Sequence, residues 1–207
     1  GSSDYGTERA HGDSINKFDE YRRLNVGYIF QDFYLNDDLS VVDNIRQGLQ
    51  IVGITEEAEV KKRTNQALFA VSMSLFKKRL CSQLSLGQKQ RIAIARSLAI
   101  NPKIILADEP TGNLDSKNSQ QIMRILKKIS SNMLVVIVSH NESLAREYAD
   151  YIYRIADGSI IKEEKLNNPK NPVNNIQETP LSEVHSSVDT IGIDLYKDQY
   201  QYQQTGI

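Results

Sequence analysis

Five consecutive aliphatic residues, Leu134-Val135-Val136-Ile137-Val138, four of them β-branched, form a run too short for a helix and too apolar for a strand with a wetted face. Such a strand is expected to be buried on both faces, which is the condition of a parallel sheet with helices on either side. Two further strand signals accompany it, residues 25–30 (Asn-Val-Gly-Tyr-Ile-Phe) and residues 104–107 (Ile-Ile-Leu-Ala). Between them lie helical patterns: one over residues 87–99, and one whose apolar face is Ile122, Ile125, Leu126 and Ile129. The alternation predicts a doubly wound α/β core.

Residues 35–80 carry apolar positions at helical spacing, Leu39, Val42 and Ile45, then Ala67, Leu68, Val71 and Leu75, and are read as a small helical subdomain. After a short helix near residues 142–148, segments 151–156 and 159–163 flank Asp157-Gly158, a two-residue turn that predicts a β-hairpin. Beyond Lys165 the composition turns to Asn, Gln, Ser and Pro. Too little apolar surface remains there to offset ordering entropy, so this tail is expected to be disordered, with Tyr196, Tyr200 and Tyr202 as possible docking residues.

The bulk numbers remove several function classes. Of 207 residues, 40% are hydrophobic, enough for a core of its own, and the net charge of −1 offers no global field for nucleic acid or an anionic membrane. The single cysteine, Cys81, allows no intrachain disulfide, has no histidine pattern around it, and is read as an inert thiol. No stretch reaches the ~18 apolar residues of a membrane span, and no signal peptide is evident at the start. A role at a membrane would therefore run through a partner.

Chemistry concentrates at two places. The strand Ile104-Ile105-Leu106-Ala107 ends in Asp108-Glu109-Pro110, and the carboxyl ends of parallel strands are where open α/β sheets bind ligands. Asp108 is placed to help hold Mg²⁺, a hard cation that prefers oxygen and bridges nucleotide phosphates. Glu109, aimed differently, can position or deprotonate an attacking water. Upstream, Leu84-Ser85-Leu86-Gly87-Gln88-Lys89-Gln90 leads into a helix, with Ser85 as N-cap and Gly87 permitting close backbone approach. A helix start of this kind holds phosphate through its free N–H groups and dipole. Each has a plainer reading, a solvated acidic turn and an ordinary capped helix; together they supply a cation site and an anion site.

These residues resemble the ABC ATPases. Leu84 to Gln90 is similar to the family's signature motif, with Leu86 where Gly is usual. Residues 104–109 resemble its Walker B strand, Gly112-Asn113-Leu114-Asp115 its D-loop, Ser139-His140 its H-loop, and Gln31 its Q-loop glutamine. Asp108-Glu109-Pro110-Thr111-Gly112-Asn113-Leu114-Asp115 is similar in particular to the branch serving lipoprotein release, macrolide or peptide export, and cell division. The resemblance implies an α/β fold, an incomplete P-loop NTPase (RecA-like) core with a parallel sheet plus an inserted helical subdomain. It implies ATP and Mg²⁺ as cofactors, a second nucleotide-binding domain bound head to tail, a transmembrane permease, no nucleic acid, and a peripheral place at the cytoplasmic face of the cell membrane.

It also implies roles. Glu109 would be the general base and His140 the γ-phosphate sensor. Gln31 would contact the metal or water beside Asp108, and Ser85, Gly87 and Gln88 would face the partner's nucleotide. Asp115 would couple the two sites. The domains would run 1–32 as a core remnant ending in the Q-loop, 33–83 as the helical subdomain, 84–164 as the signature, Walker B, D-loop and H-loop core, and 165–207 as the tail. A DNA-repair or chromosome-organising ATPase of the same class would carry long heptad coiled coils, and none is present in the sequence.

One family element is missing from the sequence. There is no Gly-Lys pair and no Lys followed by Ser or Thr, so the Walker A loop that cradles phosphates is expected to be lost through N-terminal truncation. The expected consequences are negligible ATPase activity in the chain alone and exposed apolar sheet edges that favour self-association. The alternative is a non-hydrolytic module that lends its signature helix to a partner ATPase.

Overall fold

The computed structural model describes residue 19 and residues 21–166. The expected tail and its tyrosines, apart from Lys165 and Leu166, lie outside the described residues, as does most of the approach to the first strand. The chain divides into two compact units, one ending at Ala145 and one beginning at Arg146.

In the first unit, β1 (Val26–Ile29), β2 (Ile104–Asp108) and β3 (Leu134–Val138) form a parallel sheet in the order β1-β2-β3. Val26 and Leu134 both lie opposite Ile104, and Asp108 lies opposite Val138, so the acidic end of the central strand is level with the end of its neighbour. Four α-helices accompany the sheet: α1 (Val41–Ile51), α2 (Glu57–Ala70), α3 (Leu86–Ala99) and α4 (Ser116–Ile129). Helix α3 packs against α1, α2, α4 and β1. Its Ile92, Ala93, Ile94, Ala95 and Leu98 are buried, as are Ile29 and Ile105 of the sheet. Each large aliphatic side chain so buried contributes about 1.5–3 kcal/mol.

The helix starts are fixed locally. Ser40 caps α1 by accepting from the Asp43 N–H at 3.2 Å, and the Glu56 carboxylate caps α2 by accepting from the Ala58 and Glu59 N–H groups at 3.0 and 2.7 Å. Cys81 is buried in a short 3₁₀ turn, where the Asn44 amide donates to its sulfur at 3.2 Å. Burial pushes this thiol above its ordinary pKa, as expected of an inert cysteine.

The sheet differs from expectation in one respect. The apolar run of β3 predicts burial on both faces, yet Leu134, Val136 and Val138 are exposed, as are Tyr28 and Phe30 at the other edge. The helices described cover the face carrying Ile29, Ile105 and Ala107, while the alternate side chains meet solvent. The run is apolar on both sides, but only one side has a packing partner among the described residues.

A short helix, α5 (Glu142–Tyr148), leads into the second unit, whose β4 (Tyr151–Ala156) and β5 (Ser159–Lys165) pair antiparallel. Asp157 and Gly158 both have positive φ, 50° and 74°, the conformation the twist of a tight hairpin demands. Arg146 grips Glu164 through two donors at 2.8 and 3.3 Å.

Candidate functional site

Strand β2 stops where its register with β3 runs out. The Glu109 N–H donates to the Val138 carbonyl at 2.9 Å, and the backbone then turns through a positive φ of 43°. This turn sends the Glu109 carboxylate across to the end of β3. There Oε1 accepts from the His140 backbone N–H at 2.7 Å and Oε2 accepts from the Ser139 hydroxyl at 3.3 Å. The His140 ring lies beside it, Nε2 at 3.7 Å from Oε1, but is 97% exposed where the Glu109 side chain is 19% exposed. The carboxylate is thus anchored while the imidazole remains free to meet a ligand.

Gln31, two residues past the end of β1, is tied to the loop that follows Glu109. Its Nε2 donates to Asn113 Oδ1 at 3.2 Å, and Asn113 Nδ2 donates back to the Gln31 carbonyl at 3.3 Å. Gly112 makes the approach possible, since a Cβ there would stand 3.1 Å from Gln31 Nε2. The same loop is held from below by the fully buried Gln90, whose Nε2 donates to the Pro110 carbonyl at 2.9 Å. Asp108, exposed at the end of the central strand, completes this first cluster.

The remaining candidates form a second cluster at two helix starts. Ser85 caps α3 reciprocally with Gln88: the Gln88 N–H donates to Ser85 Oγ at 3.3 Å, and the Ser85 N–H donates to Gln88 Oε1 at 3.1 Å. Asp115 caps α4, accepting from the Asn118 N–H at 2.8 Å and from its Nδ2 at 2.6 Å. These bonds from Asn118 hold the Asp115 carboxyl below the usual carboxylate range. Gly87 packs on Asn118, leaving no room for a side chain. Gln88, expected to face a partner's nucleotide, and Asp115, expected to couple two sites, each cap a helix start within this chain.

Asn113, Asn118 and Gln90 were not legible as site residues. Gln90 and Asn113 lie inside the signature and D-loop segments, but nothing in the sequence distinguishes an amide that braces a neighbouring group from one that faces water.

The donor set can be tested against a metal. Among the described residues no group of three or more His, Cys, Asp or Glu is arranged to hold an ion. Mg²⁺ needs no such cage, because it takes one or two carboxylates and draws its other ligands from phosphates and water. Asp108 fits that requirement, and because the Gln31 amide bonds Asn113 through its nitrogen, its oxygen is the atom that could reach a metal.

A parallel sheet with carboxylates at its carboxyl end, flanked by capped helix starts, defines the class: an open α/β core that binds ligands at its strand ends. Comparison with known proteins narrows this. The family model described as ABC transporter matches residues 3–112. The chain is 36% identical over 143 residues to the cell division ATP-binding protein FtsE of Bacillus subtilis, covering 69% of this chain and 62% of FtsE. It is 37% identical over 155 residues to the lipoprotein-releasing system ATP-binding protein LolD of Francisella tularensis, covering 74% of this chain and 67% of LolD. The solved dimeric structure of MJ0796, a bacterial ABC transporter cassette, superimposes with a TM-score of 0.63 at 39% identity, over 74% of this chain and 68% of that one. The chain belongs to the ABC transporter ATP-binding domain family. It spans 62% of FtsE and 63% of the MJ0796 sequence from Methanocaldococcus jannaschii.

Proposed function

We propose that this chain is an ATP-binding, ATP-hydrolysing subunit of an ABC transporter, one that powers a separate membrane permease from the cytoplasmic face of the membrane. The observation that carries this is the anchored Glu109 carboxylate with the exposed His140 ring beside it, at the ends of adjacent parallel strands. Glu109 takes the proton of the attacking water, His140 meets the γ-phosphate, and Asp108 with Gln31 holds Mg²⁺, which when bound neutralises phosphate charge. Ser85 and Gly87 serve the nucleotide of a second, head-to-tail domain, across an interface to which Asp115 and Gln88 contribute by fixing the helix starts. Residues 33–83 form the subdomain that receives the permease. No helix among the described residues is long and apolar enough to cross a membrane. Relatives named for cell division, lipoprotein release and phosphate import match at 36–39% identity, so the likeness singles out no one cargo.

The 207 residues contain no Gly-Lys phosphate cradle, and phosphoryl transfer relies on positioning and electrostatics. The polypeptide of these residues alone is therefore expected to release phosphate at background rate. A malachite-green assay tests this; Mg²⁺-dependent turnover abolished by Glu109→Gln would overturn it.

The reciprocal cap of Ser85 and Gln88, which fixes the start of the signature helix, favours a second reading in which the chain lends that helix to an intact partner. Adding the chain to an intact homologous subunit should then raise that subunit's affinity for a fluorescent ATP analogue, and Ser85→Ala should remove the effect.

A further inference from the structure

Helix α3 carries one charged residue in an otherwise apolar and small stretch, Ile94-Ala95-Arg96-Ser97-Leu98. Arg96 is half-buried, and burial pushes its guanidinium below its ordinary pKa. A charge in such a place normally has a carboxylate partner. Arg96 has none among the described residues. Its NH2 donates to the Phe33 carbonyl at 2.8 Å and its NH1 to the Tyr34 carbonyl.

Those two residues are unusual in their own right. Phe33 and Tyr34 lie consecutively in the left-handed region, φ 61° and 46°, a conformation that bulky side chains rarely adopt and that persists only when surroundings enforce it. The conformation turns both carbonyls toward one guanidinium, which alone among side chains presents a planar fork able to meet two acceptors at once. The path of the side chain is also prepared: a Cβ on Gly48 of α1 would stand 2.7 Å from Arg96 Cγ, so glycine there leaves the stem its channel. The next residue acts similarly, Ser97 Oγ donating to the Tyr28 carbonyl of β1. Two successive side chains of α3 therefore hold the backbone of the first strand and of the loop that leaves it.

We propose that Arg96 is a positioning residue: it clamps the loop at Phe33 and Tyr34 and so sets the place of Gln31, two residues upstream. The functional weight of this clamp rests on the reading of Gln31 as a metal or water contact, but the clamp itself is testable without nucleotide. It makes the loop's geometry depend on α3 and on the space beside α1, so movement of those helices is transmitted to Gln31.

The test is hydrogen exchange of the full chain by mass spectrometry, nucleotide-free, comparing residues 30–36 with residues 86–99. Arg96→Met, which keeps an apolar stem, is expected to speed exchange in the loop at least tenfold while leaving α3 protected. Arg96→Lys, with one point charge in place of a fork, is expected to fall between. Gly48→Ala leaves Arg96 in the sequence but fills its channel, and is expected to loosen the loop although alanine favours helix α1; it keeps the proposal testable if Arg96→Met does not fold. Loop exchange unchanged in Gly48→Ala and in folded Arg96→Met would overturn the clamp. So would acceleration spread equally over α3, which would mark Arg96 as merely structural. Failure of the nucleotide reading would appear instead as an intact clamp in a chain whose Gln31→Ala variant loses no affinity for Mg²⁺-ATP analogue when paired with an intact subunit.

Discussion

A side chain on Gly87 would collide with Asn118: its Cβ would stand 2.5 Å from Asn118 Oδ1 and 2.7 Å from Cγ. Asn118 cannot simply turn away, because its Nδ2 is engaged by Asp115 at 2.6 Å. The glycine of the signature segment is thus demanded by contact within this chain, before any nucleotide is considered.

Gly87→Ala should therefore destabilise the fold by about 1–3 kcal/mol, the usual cost of overpacking, although helix propensity alone would favour alanine by about 1 kcal/mol. Urea denaturation measures the change. Asn118→Ala in the same chain should recover most of the loss, and additive losses would show that the two residues do not meet.

The Asp115 cap gives a pH dependence with a definite sign. Its folded carboxyl lies below the ordinary value because Asn118 donates to the charged form, so its stabilisation is fully present above the unfolded value of about 3.9. It is lost as pH falls through the depressed folded value. Asp115→Asn keeps a capping oxygen but cannot titrate. The Tm advantage of the parent over this variant should vanish toward pH 2, and an advantage that grew on acidification would contradict the assignment.

Cys81 is wholly buried with a thiol raised by desolvation. Its stability contribution is complete below the unfolded thiol value of about 8.5 and declines as pH rises through the folded one. Reaction with a disulfide reagent should be at least about a hundredfold slower in the native chain than in denaturant, since it must await opening. Equal rates would mean the sulfur is accessible.

Leu134 and Val138 are each 59% exposed on β3, beside exposed Val136. An apolar strand surface of this kind promotes association. Leu134→Lys with Val138→Thr should reduce the apparent mass in size-exclusion chromatography at high concentration, and an unchanged profile would show that this surface drives none of it.

The layout of the sheet was legible because its three strands are apolar runs punctuated by polar exits, and residues 26–29, 104–108 and 134–138 fall where those runs do. Glu109 and His140 were legible as a pair through their motifs, and they meet. What was hidden was the bracing. Arg96 stands among apolar and small residues in the second half of α3, but its partners are backbone carbonyls, which sequence cannot distinguish. The caps made by Gln88 and Asp115 were hidden too, because a motif records position and not which neighbouring groups a side chain bonds. The exposed face of β3 was misread because hydropathy reports what a strand prefers, not what packs on it.

The proposed role of Glu109 as general base predicts that hydrolysis, and not nucleotide binding, depends on its carboxylate. The most direct measurement is steady-state phosphate release by a chimera in which a Gly-rich phosphate-binding segment carrying a Gly-Lys pair precedes residues 25–207 of this chain. Mg²⁺-dependent turnover is expected, reduced by about 10²–10⁴-fold in Glu109→Gln while binding of a fluorescent ATP analogue is retained. A chimera that hydrolyses ATP equally well with Glu109→Gln would contradict it.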